Sequence, residues 1–444
     1  MRNFSFSCRT KILFGKDSHN LIIPELQTAG IRRVLLLTGG GSVHASGLYG
    51  KITSLLDAAG IAWQSVNGIQ PNPRLEKVRE AITAARAMQA QAIMPLGGGS
   101  VFDSAKAVAA GAPAEQDIWL LISKKLPITC ALPIHGVLTL SGTSSELNGI
   151  GVITNDESRE KFAFSSEHVV PQSAAIDPTL QYTVPPRMVL SAGLDALSHV
   201  LETYFQGEDT SPVVIEGCEA LARSIIRCLR ALADGQDNDG REAVTGGMQM
   251  QAGIAADGIP AVFRDYEIRS ELCFCSTYAH SGWGSVGRPV RGDFSTHGIS
   301  HALGALFDVT HGIAIGIIMA AWMRYIYDQG LARNIFARLA TRVFKVNCES
   351  TGALNGGINA GLSAGRTKEL EEQIAAVNSD LALTGVLEFR KFLTSLGLPT
   401  RLRDVQITES DIPALAELAS RTLPFGCVKP MDRESITEIL RLAY

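Results

Sequence analysis

The sequence has no concentration of charge of either sign. Its 40 basic and 44 acidic side chains give a formal net charge of −4, and they are dispersed along 444 residues. A chain without a basic patch or an acidic tail lacks the electrostatic features of proteins that bind nucleic acids or membrane surfaces. The composition therefore favours a small-molecule substrate, with no nucleic acid and no membrane as partners.

Long hydrophobic runs are also missing. The longest uninterrupted apolar stretch, 312–323, is shorter than the roughly 20 residues that a membrane-spanning helix needs. The first residues, 1–8, contain no apolar core of signal-peptide length. We therefore expect a cytoplasmic protein in which 312–323 forms a helix buried in a core.

Cysteine is scarce and scattered. The chain has eight cysteines, and the close pair Cys273 and Cys275 lacks the spacing of a zinc hairpin. We expect reduced, buried thiols rather than a disulfide framework or a cysteine metal site.

In the first part of the chain, two short apolar segments are each followed directly by a glycine-rich turn. Residues 32–38 run into the turn 39–42, and residues 92–96 run into the turn 97–100. Amphipathic segments follow each turn, which is the rhythm of a βαβ fold with a parallel sheet and right-handed crossovers.

The sequence pattern changes around Pro185 and Pro186. Short segments rich in β-branched residues precede this point, and long Ala/Leu-rich periodic segments follow it. We predict an α/β domain at 1–185 and an all-helical domain at 186–444, with no internal repeat. Helices are predicted at 189–206, 213–234, 242–256, 297–307, 312–328, 331–346, 369–396, 409–421 and 433–443. The segments 257–270 and 348–366 break the periodicity and are predicted to be loops.

The glycine turns are candidates for binding a phosphate. A glycine turn between a strand and a helix lets backbone N–H groups approach a phosphate, and the helix N-terminus adds a positive dipole. The turn 97–100 has this context, with Asp103 and Lys106 on the helix that follows, although it lacks the G-x-G-x-x-G fingerprint. A plain tight turn is the alternative for it and for 39–42. Both turns would lie at the carboxyl edge of the sheet, where open α/β sheets bind ligands.

The first glycine turn bears on cofactor choice. A site specific for NAD usually has a carboxylate near the ribose 2′-hydroxyl, which would repel the 2′-phosphate of NADP. Here the turn offers glycines, Ser42 and His44 instead. This favours NADP(H) over NAD(H).

Histidines cluster further along, with three of the nine in the fifteen residues from His297 to His311. His297 and His301 are four residues apart, as are Asp195 and His199, so each pair lies on one face of a helix. A lone histidine on an apolar helix is usually a core residue, but two such pairs favour a metal site. One carboxylate and three imidazoles suit Fe²⁺ or Zn²⁺ rather than Ca²⁺ or Mg²⁺. His301 could complete the site, relay protons or support a ligand.

With these motifs in the same order, the chain resembles the iron-containing (group III, metal-dependent) alcohol dehydrogenases over nearly its whole length. Within them it is similar to the butanol dehydrogenase and NADPH-dependent aldehyde reductase branch. The segments that carry the resemblance are 71–73, 97–106, 138–148, 177–178, 193–199 with Glu202, and 297–312.

The resemblance implies a Rossmann-like dinucleotide-binding domain followed by an all-helical, dehydroquinate synthase-like domain, in a homodimer. It implies that Asp195, His199, His297 and His311 are the metal ligands. The cofactor-binding positions that it implies, together with those suggested by the turns, are Gly40, Gly41, Ser42, Asn72, Gly97, Gly98, Gly99, Ser100, Asp103, Thr139, Ser141, Thr143, Asn148, Lys161 and Leu180. Gly40 to Ser42 would face the 2′-phosphate.

The chain departs from the family pattern at three places. His44 stands where many members of that branch have a lysine, and Leu140 and Ser144 replace a common threonine and glycine. The segment 257–270 is added length that we interpret as shaping the substrate entrance.

The function expected from this resemblance is reversible hydride transfer between NADP(H) and an aldehyde/primary alcohol pair, in a cleft between the two domains. Fe²⁺ or Zn²⁺ would bind the substrate oxygen, and His301 is the candidate catalytic proton relay. The alternatives are a polyol or phosphorylated-polyol dehydrogenase, a dehydroquinate-synthase-like lyase and a non-catalytic nucleotide-binding sensor. The first two would need a cluster of cationic groups, which the sequence does not have near Asp195 or His297.

Overall fold

The structure, a computed structural model, describes residues 2–158, 160–207, 210–237, 244–245, 248–249, 258–346 and 368–444. Contacts divide the chain into two units. The sheet unit contains Ser7–Val189 and Met250–Ser281, and the helical unit contains Met1–Phe6, Leu190–Gln249 and Gly282–Tyr444. The change at 189–190 lies close to the predicted boundary at 185, but Met250–Ser281 joins the sheet unit rather than the helical one.

The strands of the sheet unit are β1 (Lys11–Phe14), β2 (Arg33–Thr38), β3 (Ala62–Val66), β4 (Ala92–Gly98), β5 (His135–Leu140), β6 (Ile150–Asn155), β7 (Glu160–Ser165) and β8 (Ser173–Ile176). Six of them form a parallel sheet in the order β1-β8-β5-β4-β2-β3. The other two, β6 and β7, form a separate antiparallel pair. The predicted α/β fold with a parallel sheet is confirmed.

Helices cover the sheet because its central strands are apolar on both faces. Leu35 and Leu37 of β2 enter one core cluster, while Val34 and Leu36 point to the opposite face and enter another. This alternation is that of a strand buried on both sides. The helices before residue 186 are α1 (Ile22–Thr28), α2 (Ser42–Ala45), α3 (Leu48–Ala58), α4 (Leu75–Ala87), α5 (Gly99–Gly111) and α6 (Ile118–Ile122).

Long helices dominate the rest of the chain, as predicted. They are α7 (Pro186–Tyr204), α8 (Pro212–Asp237), α9 (Tyr266–Ala279), α10 (Ser295–Phe307), α11 (His311–Asp328), α12 (Arg333–Arg338), α13 (Lys368–Ser395), α14 (Ile412–Ser420) and α15 (Arg433–Ala443). The apolar run 312–323 lies within α11 and is buried almost throughout, as expected. No helix in the described part of the chain is long and apolar enough to cross a membrane.

Two local predictions were wrong. Within 242–256, predicted helical, the four described residues form the two-residue strands β9 (Val244–Thr245) and β10 (Met248–Gln249), which pair antiparallel. Within 257–270, predicted to be a loop, the structure has a 3₁₀ turn at Ala261–Arg264 and the start of α9. The predicted loop 348–366 lies outside the described residues.

Helix α9 was missed because it is not rich in Ala or Leu, although its start carries a capping signal. The side chain of Asp265 accepts a hydrogen bond from the backbone N–H of Ile268, as an N-cap does. Cys273 then packs against the sheet, beside Leu138 and Ile176. The thiol of Cys273 is therefore a core group, and the seven cysteines that the structure describes form no disulfide.

Helices α7 and α11 approach each other closely at Gly312. A Cβ added to Gly312 would lie 1.9 Å from the carbonyl oxygen of Ser191 on α7, and that oxygen belongs to backbone that cannot rotate away. Gly316, one turn further along α11, has room: a Cβ there would lie 3.4 Å from side-chain atoms of Leu194 and Leu393.

We expect Gly312→Ala to destabilise the protein by about 3 kcal/mol, because the two helices must separate to admit one methyl group. Gly316→Ala is the matched control, and it should be neutral or stabilising by up to about 1 kcal/mol since alanine favours the helix. Urea unfolding followed by far-UV circular dichroism measures both. Equal midpoints for the two variants would contradict the close contact.

Candidate metal and cofactor sites

Helix α7 presents a row of polar side chains within an otherwise apolar interior. Asp195, His199 and Glu202 follow each other at spacings of four and three residues and so lie on one face. All three are buried, and Glu202 has no exposed surface. Buried charged groups are rare unless another group compensates them, so this face requires partners.

Helices α10 and α11 supply those partners. His297 Nε2 and His311 Nε2 each lie 3.7 Å from Asp195 Oδ1, and His199 Nδ1 lies 3.8 Å from the same oxygen. His297 Nε2 is 3.1 Å from His199 Nε2. Donor atoms of Asp195, His199 and His297 all lie within 4.8 Å of one another in the helical unit. His311, the fourth sequence-predicted ligand, reaches Asp195 Oδ1 but does not belong to that mutually close group.

The donor atoms fit a transition-metal ion. Separations of 3.7–3.8 Å from Asp195 Oδ1 are too long for hydrogen bonds but near the roughly 3.5 Å between ligands on one ion with bonds of about 2.1 Å. Asp195 Oδ1 is buried and accepts no hydrogen bond from the residues that the structure describes. A buried carboxylate oxygen in that position is costly unless a cation binds it. One carboxylate and three imidazoles suit Fe²⁺ or Zn²⁺.

The carboxylates beside His297 favour positive charge on this residue. Burial alone would lower the pKa of His297, but the carboxylates of Glu202 and Asp195 outweigh burial and raise this pKa to about 10. A site that stabilises a proton this strongly also stabilises a metal cation, since both interact with the same two carboxylates.

Glu202 orients His297, a role that the sequence reasoning did not assign. Its Oε2 accepts the hydrogen bond from His297 Nδ1, while its Oε1 accepts from the backbone N–H groups of Thr296 (2.9 Å) and His297 (3.3 Å). In the singly protonated ring, a proton fixed on Nδ1 leaves the lone pair on Nε2, which lies 3.7 Å from Asp195 Oδ1, so a metal ion would bind there in place of the second proton. The signal was present in the sequence, because Glu202 continues the face of Asp195 and His199.

Asp293 fixes the start of α10 and was also missed. Its Oδ2 accepts hydrogen bonds from the backbone N–H groups of Cys427 (2.7 Å) and Val428 (2.8 Å), and its Oδ1 accepts from Ser295 N (3.2 Å). Burial raises the pKa of this carboxyl above its ordinary value. Two of the three partners, Cys427 and Val428, are about 130 residues away, so no local pattern could reveal them.

His301 lies beside the cluster. Its ring stacks on that of His311 with centroids 5.4 Å apart and planes at 25°, and its centroid is 6.4 Å from that of His297. The side chain is half-buried, whereas His297 is buried. His301 therefore sits next to the predicted ligands with part of its ring accessible.

In the sheet unit, the predicted cofactor residues gather at one edge. Strands β2, β4, β5 and β8 are parallel, so the segments that follow them meet at the carboxyl edge of the sheet. The residues at this edge are Gly40, Gly41 and Ser42 after β2, Gly97 to Ser100 at the end of β4, Thr139, Ser141 and Thr143 at the end of β5, and Leu180 after β8.

The glycines of the second turn are required by close packing. A Cβ on Gly99 would lie 2.4 Å from Thr143 Oγ1, and a Cβ on Gly97 would lie 2.4 Å from Val101 Cγ2. The turn at the end of β4 is therefore bare backbone at the first turn of α5, which is the arrangement that lets peptide N–H groups face a phosphate.

A turn formed by residues 141–148, here called the cofactor turn, is held in place by hydrogen bonds from side chains of α5. The buried ammonium of Lys106 donates to Ser145 Oγ (2.7 Å) and Asn148 Oδ1 (3.1 Å), and Asp103 Oδ1 accepts from Ser145 Oγ (2.6 Å). Burial lowers the pKa of Lys106 to about 8 and raises that of Asp103. Asp103 and Asn148, predicted to contact the cofactor, thus bond within the scaffold of the turn.

The remaining predicted cofactor residues lie at the β6–β7 pair. Lys161 Nζ on β7 donates to Asn72 Oδ1 at 2.9 Å. Asn72 is in the left-handed region with φ of 56°, in the segment before α4. The structure therefore joins Asn72 and Lys161 into one contact.

A second group, Asp17, His19 and Asp177, also has donor atoms close enough for a metal. His19 and Asp177 are buried, and both oxygens of Asp177 already have partners: Oδ2 accepts from Asp17 N (2.8 Å) and lies 2.9 Å from His19 Nδ1, and Oδ1 accepts from Thr179 N (2.9 Å). The bond from Thr179 caps the 3₁₀ turn after β8, and the other two tie Asp177 to the segment after β1.

Comparison with known proteins gives two family matches. A model described as iron-containing alcohol dehydrogenase matches residues 9–178, and one described as Fe-containing alcohol dehydrogenase family, C-terminal, matches residues 256–444.

Individual relatives agree along the whole chain. The chain is 32% identical to the probable NADH-dependent butanol dehydrogenase 1 of Bacillus subtilis over 99% of both chains. It is 29% identical to the NADPH-dependent aldehyde reductase of Escherichia coli, over 94% of this chain and 92% of that one. The crystal structure of the NADH-dependent butanol dehydrogenase A of Thermotoga maritima has a TM-score of 0.82 at 34% identity, covering 100% of this chain and 99% of that one. The chain belongs to the iron-containing alcohol dehydrogenase family of oxidoreductases.

Proposed function

We propose that this protein transfers a hydride between NAD(P)(H) and an aldehyde/primary alcohol pair. Membership of the family implies iron and an NAD(P) cofactor. The observation that carries the proposal is the arrangement around Asp195, whose Oδ1 lies 3.7–3.8 Å from nitrogens of three histidines. The similar proteins named as butanol dehydrogenases and an aldehyde reductase support the substrate class.

The proposed ligands are Asp195, His199, His297 and His311. A divalent ion held by them would supply Lewis acidity toward the substrate oxygen, and a nicotinamide held by the sheet unit would supply or accept the hydride. Glu202 would keep a proton on His297 Nδ1, which leaves Nε2 as the nitrogen available to an ion. The bare backbone at Gly97 and Gly99 supports a pyrophosphate site at the start of α5.

We assign His301 the role of proton relay. Reduction of an aldehyde consumes one hydride from the nicotinamide and one proton, and imidazole both donates and accepts protons. His301 would give its proton to the substrate oxygen and recover one from solvent, in keeping with its half-buried ring beside His311.

We further propose NADP(H) as the preferred cofactor. The turn after β2 carries Gly40, Gly41 and Ser42, with no carboxylate to repel a 2′-phosphate. Relatives with NADH in their names point the other way. The choice therefore depends on this turn and is open to a direct test.

A homodimer and a cytoplasmic location complete the proposal. The absence of disulfides among the seven described cysteines suits a reducing compartment.

Metal removal tests the function. Chelation should abolish oxidation of NAD(P)H by butanal, and Fe²⁺ or Zn²⁺ should restore it.

Glu202→Gln should weaken metal affinity about 10–100-fold, because His297 loses its charged partner. Glu219→Gln is the matched control: this buried carboxylate accepts from Arg338 and Tyr204, so its loss should lower stability but leave metal affinity unchanged. A folded protein that oxidises no cofactor with any aldehyde or metal would instead be a non-catalytic nucleotide-binding protein.

His301→Ala should lower turnover at least about 10-fold while metal content stays near that of the parent, since general acid–base catalysis contributes about 10²–10⁴-fold and solvent replaces part of it. Stopped-flow turnover and metal analysis by mass spectrometry measure the two quantities on the same preparation. Unchanged turnover together with lost metal would make His301 a supporting group rather than a relay.

Gly40→Asp should move the cofactor preference toward NADH. A Cβ at Gly40 meets no atom within 4 Å, so the new carboxylate fits without disturbing the turn. At the proposed 2′-phosphate position it should reduce kcat/KM for NADPH about 10-fold relative to NADH, which corresponds to about 1.4 kcal/mol of repulsion. Gly40→Asn has the same shape without the charge and should change the ratio less. If the two variants had the same ratio of kcat/KM for NADPH to kcat/KM for NADH, this turn would not be the part of the cofactor site that faces the 2′-phosphate.

A further inference from the structure

Helix α9 is bonded to the cofactor turn at its C-terminal end. Ser144 Oγ donates to the carbonyl oxygen of Ser276 on α9 at 2.6 Å, and it accepts from the backbone N–H of His280, just beyond the helix, at 2.9 Å. Asn148 Nδ2 donates to the carbonyl oxygen of His280 at 3.3 Å. Three hydrogen bonds therefore tie the middle and the end of the turn to one short piece of backbone.

The first half of α9 reaches the other end of the turn through Gln181. The buried guanidinium of Arg269 donates from Nη2 to the carbonyl oxygen of Gln181 at 3.2 Å. The Gln181 side chain in turn donates to Ser141 Oγ at 2.9 Å and accepts from Ser141 N at 3.1 Å. Helix α9 thus supports the cofactor turn at both ends, in addition to the hydrogen bonds that Lys106 donates to it.

Ser144 is the most demanding member of this arrangement. Its φ is 53°, in the left-handed region that favours glycine, and a side chain there costs about 1 kcal/mol or more. It is fully buried, and its hydroxyl both donates a hydrogen bond and accepts one. The strain is therefore offset by two bonds that only a hydroxyl in this position makes.

We propose that Ser144 is a positioning residue for the nicotinamide cofactor. Its hydroxyl fixes the cofactor turn to the C-terminal end of α9, which holds Ser141 and Thr143 in the conformation that binds the cofactor. The inference rests on the proposed function, because it takes the cofactor turn as part of the cofactor site. It gives α9, and with it the segment after residue 257, a role in cofactor affinity.

Two variants separate positioning from backbone strain. Ser144→Gly removes the hydroxyl and relieves the strain, whereas Ser144→Ala removes the hydroxyl and keeps the strain. We expect both to bind NAD(P)H about 10-fold more weakly, which corresponds to about 1.4 kcal/mol, because a turn released from α9 must be ordered when the cofactor binds. With saturating cofactor and aldehyde, kcat should stay within about twofold of the parent. Metal content should not change, and the thermal midpoint should fall for the alanine variant more than for the glycine variant.

The readout is a fluorescence titration of NAD(P)H into protein with and without metal, together with kcat and KM. Thr10→Val is the control, since Thr10 Oγ1 also donates to a backbone carbonyl, that of Pro171 at 2.7 Å, but lies before β1, away from the turn. It should leave cofactor affinity unaltered. If the glycine variant bound the cofactor as tightly as the parent, this inference would be overturned and the proposed function would stand. A folded parent that binds no nicotinamide cofactor would overturn the proposed function, and this inference with it.

Discussion

Asp195 holds one carboxylate oxygen 3.7–3.8 Å from nitrogens of three histidines, inside a core where water does not reach it. An ionised carboxylate in that place is unfavourable unless a cation lies among the same atoms. The helical unit is arranged to meet this condition. Helix α7 carries the carboxylate, α10 and α11 carry imidazoles, and Gly312 lets α11 touch α7 so that His311, the first residue of α11, reaches Asp195.

The supporting residues around this centre fix the orientation of the candidate ligands, and Glu202 adds negative charge beside them. Glu202 fixes which nitrogen of His297 bears the proton, and Asp293 fixes where α10 begins by binding the backbone of residues 427 and 428. Each carboxylate accepts several hydrogen bonds from backbone N–H groups, so its charge is stabilised by dipoles that cannot rotate away. Side chains held this way are preorganised for a cation, because the cost of ordering them is met when the protein folds.

Local pattern was sufficient to predict the parallel sheet, the helical half and the pairs Asp195/His199 and His297/His301, because these follow from the periods 2 and 3.6 and from the spacing of ligand types. The choice of His311 as a ligand came from the family resemblance. Glu202 lay on a face already identified and could have been included. Asp293 and Gly312 could not, since their partners are distant in sequence and only the folded backbone brings them near. Helix α9 was missed for a different reason, because its apolar positions are filled by Ile, Leu, Cys and Tyr, and its start lies in a segment predicted to be a loop because it breaks the Ala/Leu-rich periodicity.

Ser144 shows why departures from a motif are hard to interpret before a structure exists. In sequence it is a serine where the family commonly has glycine, which suggests either a harmless change or a damaged turn. In the fold the same residue keeps a backbone conformation that favours glycine, and its hydroxyl bonds to α9 in two directions. The serine is tolerated because a helix from a later part of the chain lies within hydrogen-bond distance. A substitution at a strained position is therefore informative only together with the element that packs against it, which is a property of the tertiary structure and not of the motif.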